Sequence, residues 1–199
     1  TLIGSVGENW QVRLTKAFNP LIPGANLEKR AEELLSDSML EINPISGKPD
    51  AFVSRRSGLQ TVYLRYSDGT HLKLAEFASD FFISEFDYSS DGERLLVGHA
   101  NNLWVLEAGK EPIRINKSGD RVGLASWAAD SKTVYFFISR QGHWLLQSFK
   151  LDNGATAFLS DRYDFYQESP DGSYKAWRDS TNNSFYIQKR GESAVPINL

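Results

Sequence analysis

The sequence predicts an all-β fold, a series of four-stranded antiparallel sheets repeated about every 40 residues with an incomplete sheet ahead of the first. Three observations carry this expectation. Tight-turn signatures recur at Pro44-Ile45-Ser46-Gly47, Ser90-Asp91-Gly92, Ala129-Asp130-Ser131 and Pro170-Asp171-Gly172, at intervals of about 40 residues. A second series falls between them, at Ser67-Asp68-Gly69, Ala108-Gly109, Asp152-Asn153-Gly154 and Arg190-Gly191. Short runs rich in β-branched and aromatic residues flank every turn. Asp-Gly and Asn-Gly accept the positive φ that two-residue hairpins demand, so the turn chemistry and the strand chemistry agree.

The elements follow in order. Leu2-Ile3-Gly4-Ser5 and Glu8-Asn9-Trp10-Gln11-Val12 repeat the pattern of Leu96-Val97-Gly98-His99 and Asn101-Asn102-Leu103-Trp104-Val105. Residues 1–19 therefore read as a partial unit that begins at a second strand. Residues 20–37 read as an insertion, with a loop marked by Pro20 and Pro23 and one short helix over 27–35 capped by Asn26. The first full unit, 38–76, has strands at 39–42, 50–54, 60–66 and 71–75. The second, 84–116, has them at 84–88, 94–98, 102–107 and 111–115. The third, 122–160, has them at 124–127, 133–138, 144–151 and 155–159. The fourth, 163–199, has them at 165–168, 175–178, 184–189 and 194–199. Four strands in about 40 residues is the size of a β-propeller blade, so the expected architecture is a partial propeller of four complete blades plus an incomplete N-terminal one.

Composition narrows the function classes. The chain has 199 residues, 41% of them hydrophobic, with 22 basic and 25 acidic side chains, a net charge of −3. That balance argues against disorder and against a dedicated nucleic-acid binder. With no cysteine there is no disulfide framework, thiol chemistry or cysteine-ligated zinc. No run of apolar residues is long enough for a membrane helix, and the first residues lack a signal peptide's basic start and apolar core.

The repeat resembles the TolB-type propeller repeat, a relative of the WD repeat. Glu168-Ser169-Pro170-Asp171-Gly172-Ser173-Tyr174-Lys175-Ala176-Trp177 and Tyr88-Ser89-Ser90-Asp91-Gly92-Glu93-Arg94-Leu95-Leu96-Val97 carry the resemblance, as do Ala51 to Gly58, Val62-Tyr63-Leu64 and Ser67-Asp68-Gly69. It covers about residues 38–199, extends more loosely to 1–15, and departs from the pattern at Gly47-Lys48-Pro49-Asp50, where the Asp-Gly order is lost, and at Asp130-Ser131, where glycine is missing. The resemblance implies a periplasmic scaffold, a non-catalytic gating propeller of a serine peptidase, or the extracytoplasmic sensor part of a CadC-like membrane-bound winged-helix transcriptional regulator. The last of these is the expected role, within a larger bacterial protein anchored in a membrane.

The search for chemistry points away from catalysis. Gly4-Ser5-Val6-Gly7 and Gly123-Leu124-Ala125-Ser126 both miss the spacing of a nucleophile elbow. His71, His99 and His143 lie in different repeats and form no zinc motif, and there is no phosphate loop or dinucleotide glycine pattern. The expectation is no catalytic residue, no cofactor and no metal, with Asp91, Asp130 and Asp171 acting as turn residues. Trp10, Tyr63, Trp104, Trp144 and Tyr186, near the starts of successive third strands, read as packing between blades.

A partner is expected on the face shared by the second-to-third-strand loops and the connections between blades. The former carry Arg55, Arg56, His99, Asn101, Arg140, His143, Arg178 and Asp179; the latter carry Asp80, Phe81, Phe82, Arg121, Arg162 and Tyr163. Arginine, histidine and aromatics are the types enriched at protein contacts. The binding set is Arg55, Arg56, Phe81, Phe82, His99, Arg121, Arg140, His143, Arg162 and Tyr163, for a protein or a small-molecule signal rather than nucleic acid. Phe81-Phe82 is its sharpest member, since adjacent residues of an extended segment point opposite ways. Open blade flanks are expected to drive self-association.

Overall fold

The hairpin turns decide where each strand stops. In a computed structural model, which describes residues 37–117 and 119–197, Asp91 Oδ1 accepts hydrogen bonds from the Glu93 amide at 3.0 Å and from Ser89 Oγ at 2.6 Å. Asp130 Oδ1 takes the amides of Lys132 and Thr133 at 2.9 and 2.8 Å. Asp171 Oδ1 takes the Ser173 amide at 3.0 Å and Ser169 Oγ at 2.6 Å. These bonds hold the Asp171 carboxyl down at a pKa of about 2. The aspartates thus close turns by satisfying backbone donors. At the turn that lacks glycine, Ser131 itself adopts a φ of +56°. Its Oγ accepts the Asp91 amide of the neighbouring turn at 3.0 Å, so the hydroxyl compensates for a conformation that a side chain makes strained.

Sixteen strands result among the described residues: β1 (Asp37–Glu41), β2 (Asp50–Ser54), β3 (Gln60–Arg65), β4 (His71–Phe77), β5 (Ile83–Tyr88), β6 (Arg94–His99), β7 (Asn102–Glu107), β8 (Ile113–Arg114), β9 (Arg121–Trp127), β10 (Thr133–Arg140), β11 (His143–Lys150), β12 (Ala155–Ser160), β13 (Tyr163–Glu168), β14 (Tyr174–Asp179), β15 (Ser184–Lys189) and β16 (Val195–Ile197). They form four separate four-stranded antiparallel sheets, each a meander in chain order. The first strands touch in sequence, β1 against β5, β5 against β9 and β9 against β13, so the sheets are arrayed blade beside blade. The expected partial blade and the helix over 27–35 lie outside the described residues.

Alternation along the strands builds the core. Ala51, Val53, Val62 and Leu64 of the first sheet meet Ile83, Phe86, Tyr88, Leu95, Val97 and Leu106 of the second. Leu96, Leu103, Val105 and Ile115 leave the second sheet's other face and meet Trp127, Val134, Phe136, Ile138 and Phe149 of the third. Each fully buried aliphatic or aromatic side chain contributes roughly 1.5–3 kcal/mol by leaving water. Directional bonds then fix the stacking: Tyr88 donates its hydroxyl to the Pro49 carbonyl at 2.7 Å, and Trp127 Nε1 donates to the Asp87 carbonyl at 3.2 Å.

Several boundaries differ from the sequence reading. Arg121 and Tyr163 are the first residues of β9 and β13 rather than loop residues, because irregular registers extend both strands past a bulge. Arg178 and Asp179 belong to β14, and β8 shrinks to two residues. Trp144 leaves the aromatic series. Tyr63, Trp104 and Tyr186 lie opposite Phe52, Val97 and Trp177, whereas β11 starts earlier and puts Gln147 opposite Phe136 and Trp144 opposite Ser139. Trp10 is outside the described residues.

Candidate functional site

The connection between β4 and β5 is built around one side chain. Gln60, the first residue of β3, is 1% exposed. Its Nε2 donates to the Ala78 carbonyl at 3.0 Å and to the Phe81 carbonyl. Its Oε1 accepts the Ile83 amide at 3.2 Å and Arg55 Nη2 at 3.3 Å. A single amide therefore ties down both ends of a five-residue connection and an arginine of the adjacent β2–β3 turn. His99, the last residue of β6, supports the same connection from the other side. Its Nε2 lies 3.0 Å from the Ala78 carbonyl, which can only accept, so that nitrogen carries the proton. The ring packs 5.0 Å from Phe77 and edge-on to Phe81 at 6.4 Å.

The outcome is a pair of large aromatics held out to solvent. Phe81 is 53% exposed and Phe82 72% exposed. The Arg55 guanidinium lies 4.7 Å from the centre of the Phe82 ring, a cation–π distance. A preformed apolar surface with a cation on it suits a partner that offers an apolar anchor beside an acidic group.

The structure brings Arg55, Phe81, Phe82 and His99 together. His99 is only 8% exposed, so it is a support of the patch and not a contact surface. Arg56 stands in the same β2–β3 turn, exposed, its amide 3.5 Å from Ser54 Oγ. The remaining expected residues belong to the third and fourth sheets. Arg121 lies over the Trp144 ring at 5.9 Å, and Arg140 pairs with Asp120 at 3.7 Å with exposed His143 directly opposite it in the ladder. Arg162 pairs with Asp179 at 2.7 Å. Tyr163 packs near Tyr166 and Trp177, its ring 6.5 and 5.8 Å from theirs. On the fourth sheet Ile187, Val195 and Ile197 are exposed. Gln60 is the residue that sequence reading missed. Its signal is a polar pair, Gln60-Thr61, opening a strand that continues as Val62-Tyr63-Leu64.

No family model matches the sequence, and neither does any curated protein. Solved structures do. The chain is similar to a putative TolB from Agrobacterium tumefaciens, with 20% identity and a TM-score of 0.56 over 82% of this chain and 62% of that one. TolB from Acinetobacter baumannii matches at 20% identity and a TM-score of 0.56, covering 81% of this chain and 43% of the other. The β-propeller domain of the Trilobed protease from Pyrococcus furiosus matches at 14% identity and a TM-score of 0.57, covering 81% and 58%. The chain spans less than two thirds of the length of these relatives. At such identities the likeness concerns the fold, which is that of TolB-like and WD-type β-propellers.

Proposed function

We propose that this chain is a non-enzymatic binding segment of a β-propeller, recognising a protein partner through Phe81, Phe82 and Arg55. The observation that carries the reading is the exposure of two adjacent phenylalanines on a connection pinned by a buried glutamine. Exposed aromatics cost solubility, and a rigid support lowers the entropy lost when a partner covers them. Within this reading the segment is the extracytoplasmic sensing and interaction module of a larger bacterial transcriptional regulator, as the repeat's resemblance implies. A periplasmic scaffold is the second reading, favoured by the structural likeness to two TolB proteins.

The test is capture of partners from an extract by the immobilised chain and by the Phe81→Ala, Phe82→Ala double variant. Both side chains are largely exposed, so the variant keeps its far-UV circular dichroism. Recovery of the captured partner is expected to fall about tenfold or more, the usual consequence of losing an aromatic anchor. Equal recovery by the two proteins overturns the proposal.

A further inference from the structure

The contact between the third and fourth sheets departs from the other two at matching positions. Tyr88 and Trp127, the last residues of β5 and β9, are buried in apolar clusters; Glu168 ends β13 in the same place. Leu95 and Val134 follow their turns at the same distance as Lys175 follows Gly172, and both lie in those clusters. On the opposing wall, Val105 faces Leu96 across the second sheet's ladder, while Ser148 faces Tyr135 in the third. These exchanges leave a cleft of about 460 Å³, against one of about 180 Å³ beside Tyr88, Leu95 and Leu106 at the matching place between the first and second sheets. The larger volume falls within the roughly 300–1,000 Å³ of small-molecule sites.

The polar groups of the cleft divide into committed and free. Glu168 Oε1 accepts the hydroxyls of Tyr135 and Tyr166 at 3.1 and 3.2 Å and pairs with Lys175 at 3.3 Å, while Oε2 accepts the Ala129 amide at 3.2 Å. Asp130 is consumed by its turn and by Thr133 Oγ1 at 2.8 Å. Lys150, Ser148 and Tyr163 also line the cleft, and their side chains carry no hydrogen bond or ion pair among the described residues. The one uncommitted charge is therefore a cation. Tyr163 lies parallel to Tyr166, 6.5 Å away at 8°, and offers a flat wall; Leu146 and Leu159 supply apolar surface. Burial pushes the Tyr135 hydroxyl up to about 12 and raises Tyr166 as well, so both keep their protons and stay bound to Glu168.

We propose that this cleft binds a small organic monoanion with a flat apolar body, its charged group on Lys150 and its hydrogen-bonding edge toward Ser148. The site is separate from the patch on Phe81 and Phe82 and stands or falls independently of it.

Benzoate serves as the probe, with benzamide as its neutral counterpart, titrated against the whole chain and followed by amide chemical shifts of the cleft residues. Benzoate is expected to saturate and to bind about tenfold tighter than benzamide, the size of one charge-assisted contact. Lys150→Gln is expected to abolish that preference while leaving benzamide binding as it was. Ser148→Leu restores an aliphatic side chain at this place and is expected to block both ligands with an unchanged or higher urea midpoint. Absence of saturation by benzoate, equal affinities for the two probes, or benzoate binding that survives in Ser148→Leu overturns the proposal.

Discussion

The contacts on either side of the second sheet and the contact between the third and fourth use the same strands in the same order, yet they are held by different physics. Around the second sheet, alternate positions carry leucine, valine, isoleucine and aromatics, so the attraction is mostly non-directional, with the single bonds of Tyr88 and Trp127 setting the stacking. Between the third and fourth sheets, two tyrosine hydroxyls, a lysine and a backbone amide converge on the carboxylate of Glu168. Such a network holds only when every partner is in place. The comparison teaches that the repeat is set by turns and register, while the filling between sheets is free to vary. A blade keeps its shape when an apolar position becomes polar, and the variation becomes available for binding.

The largest effect belongs to the apolar contact. Phe136 is almost wholly buried in the cluster between the second and third sheets. Phe136→Ala is expected to cost about 3–5 kcal/mol, from lost burial and the cavity left behind, read as a lower urea midpoint. A loss under about 1 kcal/mol would mean that this contact is as loosely filled as the cleft.

The polar contact breaks differently. Glu168→Ala strands the hydroxyls of Tyr135 and Tyr166, the Ala129 amide and the Lys175 ammonium at once. The expected cost is about 2–3 kcal/mol, whereas Tyr135→Phe removes one donor and is expected to cost about 1 kcal/mol. In denaturation series the two changes made together should cost less than their sum, because they cut the same network. Strict additivity would dissolve the distinction between the two kinds of contact.

Much of this was readable beforehand, because turn chemistry is local. Asp91, Asp130 and Asp171 announce their hairpins by spacing alone, and every second and third strand lies where the runs between turns put it. Strand starts were less legible. Arg121 and Tyr163 look like loop residues in sequence, and only pairing with β10 and β14 draws them into sheets. The loop patch was half visible: adjacent phenylalanines draw the eye, but Gln60 acts through carbonyls of Ala78 and Phe81 that no side-chain pattern reveals. The cleft was invisible for a similar reason. Lys175 and Glu168 stand in sequence as a strand start and a strand end beside the Asp171 turn, and their role emerges only when their positions are laid over Leu95 and Tyr88 in the folded sheets.

The smallest effect has the opposite sign and sharpens the comparison from inside the apolar half. Glu85 on β5 stands where Gly98 leaves room for it, an added Cβ there meeting its carboxylate. Unlike Glu168, it has no cation among the described residues, and its one side-chain partner is the neighbouring Ser84 hydroxyl. Burial pushes its pKa up, the Ser84 bond opposing in part. A carboxyl raised in the folded state favours folding only while protonated, so the wild type loses stability as pH climbs past the ordinary carboxylate range. Glu85→Gln keeps the shape and removes the charge. It is expected to raise the urea midpoint at neutral pH and to leave it unchanged in acid, where both side chains are neutral. Glu168→Gln, which removes a carboxylate with a full set of donors, should lower the midpoint at neutral pH instead. Shifts of the same sign in the two variants would show that a carboxylate's worth here is set by depth alone and not by the partners its sheet provides.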